Sequence, residues 1–498
     1  MVRKQLIFID GVSDWSQLRK VRPHRRDFGS GRGECIDRFY IETFLAEHRE
    51  SIRGRVAEIG SDHYTRLFGG PGVEHSDVID VDERNHRRTI TLDLTSTYAA
   101  PSDAFDCILC PQTLFEIYDY ASALDSLYKT LRPGGVLLST LPGISQSVQG
   151  NMLGGAGSDY WRFTSRSAAR VFGEVFGPEN VDVQAYGNVL SSVAFLHGLV
   201  QGEVVPEELE YHDPDYELTI AIKAVKRTSS PDAQGVASAS ASADTISSSL
   251  KRIKHLVPAP ARQWLNIRRE EVERKMLLLD RVTDWSVLRR IHPYRPRLGE
   301  RRGECVDRFY IDQFLAQNQD SIRGRVAEFQ DSGYTLRYGG GRVTQTEIID
   351  IDHRNTQRTV TLDLVETDSA PQSIFECIIC TQTLFLIFDF KAAIRTIFKM
   401  LSIGGVVLAT VPGICQLLPP DMAGGADGEW WRFTSNSARE SFAEIFGKEN
   451  VEVTTYGNVL TSVASLHGLV QEELTPAELA YHDPEYEFII GVKATKRA

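Results

Sequence analysis

The sequence predicts an α/β chain of two tandem domains, each a mostly parallel, twisted sheet with helices on both faces. Three observations carry this. The chain repeats itself at a constant offset of 270 (Arg32 to Arg302): Arg32-Gly33-Glu34-Cys35 recurs as Arg302-Gly303-Glu304-Cys305, and Ser51-Ile52-Arg53-Gly54-Arg55-Val56-Ala57-Glu58 recurs unchanged as Ser321 through Glu328. The register holds without a gap over about 220 residues, so a whole domain is copied rather than a short solenoid unit. Within each copy, short β-rich runs alternate with helical spacing, the pattern of a parallel sheet covered on both sides.

In the first copy, Arg55 to Gly60 reads as a strand ending in an acid and a glycine. Val78 to Asp82 is a second strand ending in acids, Thr89 to Leu94 a third, and Phe105 to Cys110 a fourth. Tyr120 to Thr130 has helical spacing, with Ala123, Leu124, Leu127 and Tyr128 on one face. Leu131-Arg132-Pro133-Gly134-Gly135 is a helix stop and turn, and Val136 to Thr140 a fifth strand. Ligands of such sheets bind beyond the carboxyl ends of the strands. Glu58, Gly60, Asp82, Asp93 and Asp106 are therefore expected to converge on one crevice.

The expected boundaries are 1–227 for the first domain, 228–276 for a connector and 277–498 for the second. The connector opens Ser/Ala-rich, as a flexible linker does. Residues 250–276 turn basic and amphipathic around Trp264, and Pro258 and Pro260 break any single helix there. Two readings stand for that stretch: short helices packed on a domain, or a peripheral contact with a membrane surface.

Composition is that of a globular protein, 42% hydrophobic and 24% charged. The formal net charge of −12 argues against nucleic acid as a partner, because phosphate contacts need a dominant basic face. No apolar run is long enough to span a bilayer, and seven cysteines read as reduced thiols of a cytoplasmic protein. Cys107 and Cys110 imitate a metal knuckle. Strand positions three apart point to opposite faces, so no metal is expected.

The order Glu58-Ile59-Gly60, Asp80-Val81-Asp82, Leu92-Asp93-Leu94, Phe105-Asp106-Cys107-Ile108 and Leu131-Arg132-Pro133-Gly134-Gly135 resembles the class I S-adenosylmethionine-dependent methyltransferases, with a Rossmann-like fold, in their type 11-like division. Asp159-Tyr160-Trp161-Arg162-Phe163-Thr164, Tyr186-Gly187-Asn188-Val189 and Tyr211-His212-Asp213-Pro214 are similar to a bacterial branch associated with cell-surface glycan synthesis. The resemblance implies S-adenosylmethionine as cofactor. It sets Glu58 near the cofactor's amino end, Gly60 against its methionine part, Asp82 at the ribose hydroxyls, Asp93 and Leu94 beside the adenine, and Asp106 toward the transferred methyl. The pattern departs where Gly60 is followed by Ser61-Asp62-His63-Tyr64, without the further glycines of the family's loop. The second copy departs further: Gly60 becomes Gln330, Asp106 becomes Glu376 and Arg132-Pro133 becomes Ser402-Ile403. The first copy is read as catalytic and the second as degenerate, a scaffold, platform or regulator paired with it within the chain.

Methyl transfer from a sulfonium is an in-line displacement in which the protein mainly aligns the partners. A hydroxyl acceptor, on a sugar, glycan intermediate or other small molecule, gains from a general base. Asp159, His197 and His212 are the candidates, although His197 lies in an apolar run and His212 precedes an Asp-Pro turn signal. Trp161 and Arg162 read either as a substrate wall or as core with an internal ion pair. Glu116 and Tyr118 follow the fourth strand and border the acceptor site, and the second copy has Leu386 and Phe388 there. Two other readings stand beside this one: a scaffold with decayed cofactor sites, and a nicotinamide-dependent oxidoreductase, against which the missing Gly-x-Gly-x-x-Gly counts.

Overall fold

The computed structural model describes residues 14–147, 159–228, 282, 284–295, 302–418 and 428–497. All of the connector except Thr228, including the basic segment 250–276, lies outside the described residues.

Cys107 to Cys110 are fully buried, as a strand covered by helices on both faces must be, and they form the centre of β4 (Phe105–Pro111). Around it lie β1 (Gly54–Ile59), β2 (Val73–Asp80), β3 (Ile90–Thr91) and β5 (Leu131–Pro142), all parallel to their neighbours. Further along the chain, β6 (Trp161–Phe163) stands apart, while β7 (Val181–Tyr186) and β8 (Thr219–Val225) join the other edge antiparallel. The sheet order is β3-β2-β1-β4-β5-β8-β7. In the second half, β9 (Gly324–Phe329), β10 (Val343–Asp350), β11 (Val360–Thr361), β12 (Phe375–Thr381), β13 (Leu401–Pro412), β14 (Trp431–Phe433), β15 (Val451–Tyr456) and β16 (Ile489–Thr495) repeat that plan as β11-β10-β9-β12-β13-β16-β15. Two mostly parallel sheets with helices on both faces are the fold class expected.

Helices α1 (Ile36–Glu47), α2 (His63–Phe68), α3 (Tyr120–Thr130), α4 (Ser165–Phe176) and α5 (Val189–Leu196) cover the first sheet. Cys107 packs into the apolar cluster of α1 and α5, and Cys110 into that of α3 and α4. The two thiols thus face opposite sides of the sheet.

Three elements differ from expectation. The second strand ends at Asp80, because its partner β1 stops at Ile59, which pairs with Ile79. The third shrinks to Ile90–Thr91, because Asp93 closes a turn onto Thr95. The Pro-Gly-Gly turn is absorbed into β5 as a bulge: Phe105 pairs with Leu131, but Cys107 pairs with Val136.

The halves meet through their own repeat. β6 pairs antiparallel with β14, Arg162 opposite Arg432 and Trp161 opposite Phe433. Two equal segments pairing antiparallel is the rule of an isologous, two-fold contact, realised here inside one chain. Other contacts come in exchanged pairs. Arg19 holds Glu478 at 3.0 Å, and Arg289 holds Glu208 at 2.6 Å. The Tyr216 hydroxyl donates to the Leu466 carbonyl at 2.7 Å, and Tyr486 to that of Leu196 at 2.7 Å. Among the described residues, no helix is long and apolar enough to cross a membrane.

Candidate active site

Beyond the carboxyl ends of β1, β4 and β5 the first half has a cavity of about 400 Å³. Ile59 and Ser61 flank Gly60 on one wall, and Gln112, Phe115 and Glu116 follow β4 on another. Asp37, Arg38 and Tyr64 close it from α1 and α2, with Phe28 and Phe195 as further aromatic walls.

Gly60 turns the chain at φ +77°, and a Cβ there would project into open space. The loop after it holds its shape without further glycines because Glu58 anchors it. The fully buried Glu58 carboxylate accepts from Ser61 Oγ at 2.7 Å, the Tyr64 amide at 3.1 Å, the Thr65 amide at 2.7 Å and Thr65 Oγ1 at 2.9 Å. A negative charge against the first turn of α2 also suits the helix dipole. Glu58 therefore holds the loop that follows β1. Glu58→Gln weakens charge-assisted bonds and is expected to cost about 1.5–3 kcal/mol of stability, read by denaturant unfolding.

The second half keeps the turn but not the glycine. Gln330 sits at φ +71°, where a side chain is strained by roughly 1–2 kcal/mol. Gln330→Gly is expected to stabilise the chain by about 0.5–1 kcal/mol, less than the strain because glycine loses more chain entropy on folding.

At the end of β2, Asp80 accepts from the Asp82 amide at 2.8 Å and from Asn85 Nδ2 at 2.6 Å; Asn85 Nδ2 also donates to the Gly60 carbonyl at 2.8 Å. Asn85 thus ties the strand end to the loop after β1. Asp82 lies two residues beyond the strand and is clasped by the Arg84 guanidinium at 2.8–3.1 Å, which with the Arg84 amide holds its carboxyl down to about 2. Asp80, not Asp82, is the acid at the strand end. Asp93 is exposed and turned onto Thr95, while Leu94 is buried in the core beside it.

Asp106 does not reach the crevice. It sits at the amino end of β4, level with the start of β1, where it accepts from the Arg55 amide at 2.8 Å and from Arg132 at 2.6 Å. These partners hold its carboxyl below the usual range although burial opposes them.

Glu116 does line the cavity, at the end of a short turn Leu114–Glu116. Burial, and then the negative charge of Asp159, push its carboxyl up to about 7. Arg162 lines the cavity too, but it is buried and locked by both carboxylate oxygens of Asp159, one of them at 2.7 Å, and it donates to the Gln146 carbonyl at 2.8 Å. Asp159 is spent in that pair and is not free to act as a base. Trp161 is core: its Nε1 donates to the carbonyls of Ile117 and Tyr118 at 3.1 Å. Tyr118 stacks on Trp161 at 5.5 Å and faces the second half, with its hydroxyl 3.5 Å from Ser441 Oγ and Lys391 over its ring.

Neither histidine meets the cavity. His197 is fully buried at the end of α5, and burial pushes it down to about 3, so it stays neutral and out of reach of any acceptor. His212 is exposed, packs edge-on against Tyr186 at 5.0 Å and takes the Gly187 amide on Nδ1 at 3.4 Å.

Sequence reasoning missed the α1 side of the cavity. Arg38 donates to the Tyr64 hydroxyl at 2.7 Å. Asp37 Oδ1 is buried without a hydrogen-bond donor, and burial raises its carboxyl above the usual range. Both recur as Asp307-Arg308, a signal present in the repeat but carrying no information about which way α1 faces.

An acid with one oxygen lacking a donor, an arginine and a carboxyl raised by burial share one crevice at the strand ends, beside the open Gly60 turn. Residues 73–139 match a methyltransferase domain. That match spans β2 through the middle of β5, including Glu116. No curated protein matches the chain in sequence. Solved structures share the chain course weakly. A phosphoethanolamine N-methyltransferase 2 of Haemonchus contortus, in complex with S-adenosyl-L-methionine, is 13% identical over 93% of this chain and 99% of its own, with a TM-score of 0.26. A SAM-dependent methyltransferase from Archaeoglobus fulgidus is 12% identical over 38% of this chain and 94% of its own, TM-score 0.27. The N-methyltransferase NodS of Bradyrhizobium japonicum WM9 is 13% identical over 45% of this chain and 99% of its own, TM-score 0.25. At these scores the likenesses carry no argument about substrate or mechanism. The methyltransferase domain match is confined to residues 73–139, and the two sheets show the fold class.

Proposed function

We propose that the chain is an S-adenosylmethionine-dependent methyltransferase whose first half, 1–227, reacts and whose second half, 277–498, pairs with it without reacting. The observation that carries this is Glu116: a carboxylate raised to about 7, in a cavity beyond the strand ends of a matched methyltransferase domain, replaced by Leu386 in the other half.

The residues fit the cofactor. Asp37 Oδ1 lacks a donor that an ammonium group supplies, and Arg38 offers a guanidinium for a carboxylate. Gly60 turns the chain at φ +77° beside open space, and Asp80 keeps free lone pairs at the strand end for ribose hydroxyls. When bound, the cofactor supplies an activated methyl group. Glu116 then takes the proton of an acceptor hydroxyl, a task for a group whose pKa lies near the working pH. Phe28, Phe115 and Phe195 line the acceptor side, and aromatic faces suit the apolar faces of a sugar. A sugar or glycan hydroxyl is the acceptor we favour. Seven free thiols and the acidic charge support a cytoplasmic setting without nucleic acid.

The test is methyl transfer from labelled S-adenosylmethionine to a panel of free and lipid-linked sugars. Product with the wild-type chain and none with a Glu116→Gln chain that still binds the donor supports the reading. Donor binding absent in a folded wild-type chain favours the scaffold instead.

A further inference from the structure

A turn of the second half, residues 483–487 ahead of β16, touches the first half beside three pieces of its cavity wall. Arg26 donates to Asp483 at 2.7 Å and also pairs with Glu485. The Ser147 amide donates to the Glu485 carbonyl at 2.7 Å, and the Ser147 hydroxyl to Glu487 at 2.9 Å. The Tyr486 hydroxyl reaches the Leu196 carbonyl. Each of these first-half residues adjoins the wall in the chain: Arg26 precedes Asp27 and Phe28, Ser147 stands just past Ser145, and Leu196 follows Phe195. The reach is reciprocal. The counterpart turn holds the Leu466 carbonyl through Tyr216, and its Asp215 carbonyl accepts from the Leu417 amide at 2.8 Å.

The wall around Phe28 needs holding. Asp27 and Phe28 both sit at φ +57°. That left-handed region is disfavoured for residues with a Cβ, and two in succession persist only where the surroundings fix them. Phe28 is half-buried and stacks on Phe195 with ring centroids 5.0 Å apart, so the two rings form one aromatic wall. Within the first half, the Arg25 amide donates to the His197 carbonyl at 2.9 Å. From the second half, the contact is the clasp on Arg26. Arg26 itself is exposed, but Asp483 is fully buried. A carboxylate withdrawn from water is screened little by salt, and a charge-assisted bond to it is strong.

We propose that residues 483–487 of the second half set the aromatic wall of the first-half cavity, with Asp483 and Glu485 as positioning residues that act on Phe28 through Arg26. The consequence for an acceptor rests on the function proposed above: a wall already held in one conformation binds the acceptor without the cost of ordering it. The second half then serves the reaction by shaping the site rather than by chemistry of its own.

Fluorine NMR of the full chain with 4-fluorophenylalanine in place of Phe28 tests this and needs neither donor nor acceptor. Phe195→Leu supplies the resonance of the unstacked ring. Asp483→Asn combined with Glu485→Gln, two substitutions in the other half, is expected to move the resonance from its wild-type position toward that reference. Arg26→Gln breaks the same clasp from an exposed residue, is expected to give the same shift, and serves if the double variant does not fold. A resonance unmoved in the folded variants overturns the inference and leaves the proposed function standing. With the sugar methylated best in the panel above, the double variant is expected to raise KM about tenfold while kcat and donor affinity stay within about twofold, the mark of lost acceptor binding rather than of a damaged fold. An unchanged KM beside a moved resonance overturns the link from wall to acceptor. If no sugar is methylated, the proposed function fails while the fluorine spectrum still decides the positioning role.

Discussion

Replacing Glu116 by glutamine is expected to lower kcat by 10²–10⁴-fold, the usual contribution of a general base, while donor affinity stays within about twofold. The pH profile identifies the group. Transfer requires the ionised carboxylate, so the wild-type rate rises through about pH 7 and levels above it, and the rising limb is lost in Glu116→Gln. Stability moves the other way. The folded pKa of about 7 exceeds the ordinary 4.5, so the folded chain binds more protons between those values, and stability falls as pH rises through that window. Glutamine pays no ionisation cost. Glu116→Gln is therefore expected to be more stable than wild type at pH 8, by up to about 3 kcal/mol. An inactive variant that is also more stable marks a residue kept for chemistry rather than packing.

The second large effect is expected at the pseudo-two-fold. Asp159→Asn leaves the Arg162 guanidinium buried without its counter-charge, and breaking a buried pair from one side costs about 3–5 kcal/mol. Arg162 lies in the strand pair β6–β14, and the Asp159 carbonyl accepts from Thr434 Oγ1 at 2.9 Å and from Asn436 Nδ2 at 3.1 Å. The loss is thus expected in the unfolding of the whole chain, as one transition at lower denaturant. The same variant removes the charge that helps raise Glu116, so the pH limb of any residual activity moves to lower pH. Calorimetry with a pH–rate series reads both effects on one protein.

Much of the fold was legible because the repeat and the strand–helix alternation are local patterns. Tyr120–Thr130 is a helix with the expected ends, since Asp119 caps it and Leu131 begins the next strand. The errors have physical reasons. Asp106 precedes its apolar run, so it belongs to the amino end of β4, opposite the crevice; the spacing of motifs hides which end of a strand an acid occupies. Asp82 follows an extended stretch that leaves the ladder once β1 stops, and Val81 is exposed accordingly. Glu58 stands at a strand end, as its sequence position predicts, while its four local donors come together only in the fold. Asp37 and Arg38 stand before the first strand in the chain and reach the cavity only because α1 packs across that end of the sheet. Trp161 and Arg162 had two readings in the sequence, and a repeat pairing with its own copy decides for core and internal ion pair.

On the function proposed, the first half holds the methyl donor in the crevice around Asp37, Gly60 and Glu116. Ultraviolet cross-linking of the full chain with labelled S-adenosylmethionine, followed by peptide mapping, tests it most directly. Label is expected in peptides carrying Tyr64 or Phe115, suppressed by excess S-adenosylhomocysteine and strongly reduced in Asp37→Asn. Competable label confined to peptides of the second half, or none in a folded chain, would contradict it.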